Sequence, residues 1–369
     1  MKRIACFLLA SAVCFGALAG CGKSGGNTDA AGTAAAVPRA SETEISSLSI
    51  CLPEGVDESA ALGDGGACAA FSEAFKQKLA EEGYKVDNIE FSVSTSASAT
   101  CEALSDGSID LTFLPASQYL AYASSVDVIL AATQSKLTSD GTLAKKWNGS
   151  ANAPQKTDTQ VPYGRTLICA TTSSYGKKLA ELANSGKTIS FDDLSKASWA
   201  VLKTSTSSDF IYPDLWLSAN YKKTTADLPN IITLDGYSAL FTLAAQEKVD
   251  IIVIGADERM DYAESWSMDK THLDMTGKMG LGRSDSIFDA INVIGATEPI
   301  YGDAVAITKA DKDVYNDGFA AALRTALMAM ADTDEGAALY KLCGYTGFAE
   351  ADAADYANIA DLSLTGGDT

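Results

Sequence analysis

Short apolar runs bounded by turn residues alternate along most of the chain with longer stretches of helical period. Residues 48–52, 89–93, 109–114, 128–132 and 167–171 read as strands. Between the first of them, 67–82 sets Phe71, Phe75 and Leu79 four apart on one face, and 100–104 opens a second helix. A second alternating set predicts strands at 199–202, 231–234 and 249–254, with helices near 174–183, 209–220 and 238–246. Residues 291–296 and 304–308 are strand-like again, and 314–330 predicts a long helix carrying Phe319, Leu323, Leu327 and Met330 on one face. Such alternation predicts an α/β fold with mainly parallel sheets covered by helices. Roughly 325 residues of patterned chain exceed what one core comfortably organises, so two lobes are expected. The first takes 45–162, the second 163–296, and 297–369 return to the first as a strand and C-terminal helices. Residues 136–160 are polar and aperiodic, and predict a loop insertion near the junction. Two lobes joined by crossing strands leave a cleft at the carboxyl ends of the strands, where ligands bind in such sheets. Two independent doubly wound domains would give the same pattern.

The first residues stand outside it. Lys2-Arg3 precedes an apolar run at 4–19 that ends in Leu18-Ala19-Gly20-Cys21. The run is too short to span a bilayer, and small residues precede the cysteine as a signal peptidase requires. Residues 1–20 therefore read as an export signal, cut before Cys21. The pattern resembles the bacterial lipobox, which implies that the Cys21 thiol receives diacylglycerol and that two or more acyl chains hold the protein at a membrane. A plain secretory signal containing Cys21 is the alternative. Residues 21–44 are rich in Gly, Ala, Ser and Thr, too poor in apolar surface to order themselves, and read as a flexible leash. No later run approaches roughly 18 apolar residues. The expected location is the outer face of the cytoplasmic membrane, held by lipid.

Acidic residues outnumber basic ones 48 to 28. That excludes a nucleic-acid partner, whose phosphates need a basic patch. Solubility is the plain reading of the acidity. Five cysteines besides Cys21 survive cleavage, Cys51, Cys68, Cys101, Cys169 and Cys343; none forms a C-x-x-C pair, and the sequence picks no disulfide among them. His272 is the one histidine, which excludes multi-histidine metal sites and a histidine-based triad with partners in reach. The glycines at 63–66 and 280–282 lack the strand, spacing and helix of a dinucleotide loop. No catalytic residue, metal or cofactor is expected.

Candidate chemistry concentrates after the strand at 199–202. There the chain reads Thr204-Ser205-Thr206-Ser207-Ser208-Asp209-Phe210-Ile211-Tyr212-Pro213. Proline is tolerated only in about the first helical turn, so a helix must begin close to Ser207 or Ser208. Its unpaired backbone N–H groups, its positive dipole end and the neighbouring hydroxyls then form a corner that holds an oxyanion without a lysine. Charge-assisted hydrogen bonds contribute roughly 1.5 to 3 kcal/mol each, so four or five reach micromolar affinity, about −8 kcal/mol. Serines that merely cap a helix are the bland alternative.

This run resembles the S-S-T-S-G-Y-x-x-P signature of the phosphate, phosphite and phosphonate binding proteins of ABC importers. Residues 108–115 with Tyr119 are similar to that family's G-x-x-D-x-A-F-x-x-x-x-Y segment, and Leu234-Asp235-Gly236-Tyr237 through Val249-Asp250 to its later glycine turn, helix and V-D strand. Trp199, Tyr212, Trp216 and Asn292-Val293-Ile294-Gly295 resemble its Gram-positive lipoprotein branch. The resemblance implies a type II periplasmic-binding-protein fold that binds a small phosphorus oxyanion or phosphonate and acts as a monomer beside an ABC permease and its ATPase. It further implies that Thr206, Ser207 and Ser208 hold the phosphorus-group oxygens and that Tyr119 closes over them; Ser205, Gln118 and Tyr237 are further candidate contacts, as is Asp257 from its place just past the strand at 249–254. Asp209 stands where the family has glycine, and Ala97 where it commonly has tyrosine. Rival readings keep the fold for another small organic solute, or make the chain a ligand-sensing lipoprotein. An enzyme would need a base that the serine run lacks.

Overall fold

A computed structural model describes residues 43–202, 211–311 and 313–357, all within one unit, Ser41–Thr369. Its strands are β1 (Thr43–Leu52), β2 (Tyr84–Val93), β3 (Leu111–Leu114), β4 (Val126–Leu137), β5 (Lys156–Val161), β6 (Tyr163–Gly164) and β7 (Thr166–Ala170). They continue as β8 (Trp199–Leu202), β9 (Ile231–Leu234), β10 (Ile251–Gly255), β11 (Asn292–Ala296), β12 (Ile300–Tyr301), β13 (Ala304–Thr308) and β14 (Gly347–Glu350).

One sheet runs β14-β4-β13-β3-β1-β2, with β5 added at β4, and the other β11-β7-β10-β8-β9. Both are mixed, where the sequence predicts mainly parallel ones. Strands β2, β1 and β3 are parallel, as are β9, β8 and β10, but β13 lies antiparallel between β3 and β4, and β7 antiparallel between β10 and β11. The cause is connectivity. β7 follows the crossing strand β6, and β13 follows the crossing strand β12, so each enters its sheet from the shared edge and runs against the strands that begin at the far end.

Helices bury both faces of each sheet, which explains why β13 is buried along its whole length and β10 up to its last residue. Val305 and Ile307 pack on one face with the helices Ala67–Glu81, Asp317–Met330 and Asp334–Leu342, while Ala304 and Ala306 face Tyr119 and Tyr356 on the other. In the second sheet Leu167 and Cys169 face one core, and Ile168 and Ala170 the other, the period of two that a strand imposes. Burying Phe71, Phe75 and Leu79 contributes about 1.5 to 3 kcal/mol each. Cys51, Cys68, Cys101, Cys169 and Cys343 are all free thiols; burial pushes Cys68 up to about 11 and Cys343 up to about 12.

Residues 136–160 differ from the predicted loop. They include all of β5 but its last residue, and they dock on the second sheet through Trp147, which is buried in that sheet's core. The Asn148 amide donates to the Val293 carbonyl (2.8 Å) and its carbonyl accepts from the Val293 N–H (2.6 Å). The fully buried Arg259 donates to the carbonyls of Trp147 (2.9 Å) and Ile291 (3.0 Å). A composition-based reading misses this because one large ring and one amide do the anchoring, with no periodic run.

Candidate functional site

The carboxyl ends of the parallel strands in both sheets meet the crossing segments. Leu114, the last residue of β3, pairs with Ala304, which only Gly302 and Asp303 separate from the end of β12 at Tyr301. Gly255, the last residue of β10, pairs with Thr166, just past β6. β6 and β12 are antiparallel, with Ile300 opposite Gly164 and Tyr301 opposite Tyr163. The crossing is tight: a Cβ on Gly302 would sit 2.7 Å from the Ala132 carbonyl oxygen, so only glycine passes there.

A cavity of about 280 Å³ opens at this crossing. Tyr163 and Arg165, Tyr301 and Asp303 line it from the two crossing segments, Tyr345 from the chain after the last helix, and Tyr212 from the other sheet's helix Ile211–Tyr221. Arg165 is the only cation among the described lining residues, and its charge is engaged: Nε donates to Asp140 Oδ1 (2.7 Å) and Nη1 to the Thr297 carbonyl (2.6 Å). Tyr163 Oη donates to the other Asp140 oxygen (2.9 Å). Burial alone would raise the Asp140 carboxyl, but the hydrogen bonds from Arg165 and Tyr163 and the charges of Arg165 and Lys136 outweigh it and hold it below the usual range. Asp303 shows the opposite balance. Enclosure by protein pushes its carboxyl up, opposed only by the hydrogen bond that Tyr345 Oη donates to Oδ2 (2.7 Å).

The residues singled out from sequence fall in several places. Ser205, Thr206, Ser207, Ser208, Asp209 and the lipidation residue Cys21 lie outside the described residues. The helix that follows the serine run is present from Ile211, and Pro213 stands in the first turn of that described span. Gln118 and Tyr119 belong to the helix Ala116–Tyr122 that starts just past β3. Gln118 is half-buried; Tyr119 is 2 % exposed, with its ring 5.0 Å from that of Tyr356, in a cluster that Tyr212, Leu215 and Tyr301 also join. Tyr237 opens the helix Tyr237–Ala245, and its hydroxyl accepts from the Gly255 N–H (3.4 Å) at the end of β10. Asp257, two residues on, is paired with Lys156 of β5 at 3.6 Å. Beside it Glu258 is pushed up to about 7 by burial and by the charges of Asp257 and Asp261, which Lys278 and Lys156 only partly offset.

Sequence reasoning missed Tyr163, Arg165, Tyr301, Asp303 and Tyr345. One signal was there to be read: the crossing segments carry matching tripeptides, Tyr163-Gly164-Arg165 and Tyr301-Gly302-Asp303, each at the border of an apolar strand.

Residues 67–356 match the family described as "ABC transporter, phosphonate, periplasmic substrate-binding protein". No curated protein matches the sequence. Among solved structures, the Mycoplasma hyorhinis protein Mh-p37 is similar at 13% identity and a TM-score of 0.62, over 88% of this chain and 100% of that one. XAC2383 from Xanthomonas citri, solved bound to ATP, is similar at 14% identity and a TM-score of 0.51, over 87% of this chain and 96% of its own. At these identities the likeness concerns the fold alone.

Proposed function

Because the chain belongs to the phosphonate family of periplasmic substrate-binding proteins of ABC transporters, we propose that its cargo is a small phosphorus oxyanion, a phosphonate, phosphite or phosphate, delivered to a permease from a protein tethered through lipid on Cys21. The observation that carries this reading is the position of the helix Ile211–Tyr221: Tyr212, in its first turn, lines the cavity at the crossing strands, and in the sequence the hydroxyl run at 204–208 ends three residues before its described start. Since the charge of Arg165 is matched by Asp140, the grip on an anion falls to neutral donors, the arrangement that helix starts and hydroxyls supply. Closure of the two lobes over cargo then stabilises the closed state by the differential affinity for it. No bond is made or broken, and the protein acts as a monomer.

Thermal shift and calorimetric titration against phosphate, phosphite, methylphosphonate and 2-aminoethylphosphonate test the proposal. At least one should bind near the micromolar range, and Ser207→Ala should weaken it by about 1 to 2 kcal/mol without lowering the melting temperature. Silence across the panel would refute the assignment. Palmitate labelling that persists in Cys21→Ala would refute the tether.

A further inference from the structure

Two of the free thiols come together at one end of a helix pair, away from the cleft chemistry. Cys68 lies in the first turn of the helix Ala67–Glu81, and Cys343 caps the end of Asp334–Leu342. One turn inward from each, Phe71 and Tyr340 meet edge-on at 5.9 Å. Residues three apart share a helix face. Stepping one turn back along the first helix and one turn forward along the second therefore leads from that ring contact to Cys68 and Cys343, which both belong to the apolar cluster the rings fill. They are near enough that a charge on Cys68 would push the Cys343 thiol up. Cys343 is half-buried and Cys68 buried, so of the described thiols Cys343 alone is within reach of a reagent. Burial disfavours the thiolate at both. A disulfide carries no charge and suits the same surroundings, and reopening it would mean expelling a thiolate that those surroundings oppose. The family is periplasmic, and disulfides form and persist outside the cytoplasm.

We propose that Cys68 and Cys343 are a redox pair that oxidises outside the cytoplasm to a disulfide, stapling the start of the helix Ala67–Glu81 to the end of Asp334–Leu342. The oxidant is another disulfide, small or protein-borne. Cys343 attacks it, forming a mixed disulfide and releasing one thiol; Cys68 then attacks the Cys343 sulfur and expels the second. The two cysteines lose two electrons and two protons, and the oxidant gains them as two thiols. The loop closed covers residues 68–343, longer than the ~100 residues at which a cross-link already removes much of the freedom of the unfolded chain. Gly344 alone separates Cys343 from Tyr345, which lines the cavity at the crossing strands, so the staple also anchors the segment that carries Tyr345 there. The proposal is independent of what the cargo is.

The test is to refold the purified full chain from urea in oxidised and reduced glutathione, so that every thiol meets the oxidant before it is buried. Digestion with trypsin and a glutamate-specific protease, without reduction, should give peptides 59–73 and 342–350 joined through Cys68 and Cys343. Urea unfolding of the linked chain should show a folded-to-unfolded ratio roughly tenfold or more above that of the reduced chain, a gain that a reductant removes. Cys68→Ala should gain nothing from the same treatment. Recovery of both thiols free, or linkage of either to Cys51, Cys101 or Cys169 instead, would overturn the proposal, as would a link that leaves the urea midpoint where it was. If Cys68→Ala does not fold, Cys343→Ser, at the half-buried site, is the control, and the peptide map decides the pairing by itself.

Discussion

Glu258 carries the clearest titration signature near neutrality. Its carboxyl is raised from the ordinary 4.5 to about 7, by burial first and then by Asp257 and Asp261. A carboxyl whose folded value lies above its unfolded value binds protons more readily in the native state, so stability is highest below about pH 4.5 as far as this group is concerned and declines as pH rises toward 7. Urea midpoints measured between pH 4.5 and 8 should show that decline, on the order of 2 to 3 kcal/mol. In Glu258→Gln the decline should flatten; an unchanged profile would assign it to another group. Single residues are also where the sequence was least legible. Asp303 and Arg165 lie in short crossing segments with no hydrophobic period, and only the fold gives them opposite roles, one matched by Asp140 and the other not.

At the scale of elements, the helix Ile211–Tyr221 is held in place by a contact that only glycine permits. The Trp216 indole lies over Gly295 of β11, and a Cβ there would fall 2.2 Å from the ring. Trp216 in turn meets Tyr221 edge-on at 5.4 Å. Gly295→Ala should therefore destabilise the protein by about 1 to 3 kcal/mol in urea unfolding. Trp216→Leu in the same chain should recover part of that loss, since the two changes share one clash. Equal and additive losses would show that the ring is free to move aside. The long periodic elements were legible beforehand. Residues 304–308 form the expected strand, and the helix expected at 314–330 forms from Asp317, where Asn316 caps it through the N–H groups of Gly318 and Phe319. Two-residue strands such as β6 and β12 escape, because Tyr163-Gly164 and Ile300-Tyr301 are too short to show a period. The early halves of β1 and β2 escape for another reason: Glu44 and Lys85 are exposed and pair with each other, so those halves look like loop.

For the whole molecule, charge sets the kinetics. With a net charge of −20 the protein repels an anion at long range, and a zwitterion less so. Moderate salt should speed association with an anionic probe such as phosphate, by screening that repulsion. Stopped-flow rates that fall steeply with salt would reveal a local positive field at the cleft instead. None of the described helices is long and apolar enough to cross a membrane. The two large sheets were legible from the repeated alternation of strands and helices. Their mixed strand order was not, because direction depends on where the chain crosses, and nothing local records that.

The strand order also fixes a sequence of events at birth. β13, which sits between β3 and β4, is synthesised only after every strand of the other sheet. Until it arrives, the amino-terminal half has an open gap at its centre and two unpaired edges, whereas residues 166–296 already hold a complete sheet. The later-made half should thus mature first and the earlier-made half last, leaving the nascent amino-terminal portion in need of a guardian against clumping until the last fifth of the polypeptide emerges.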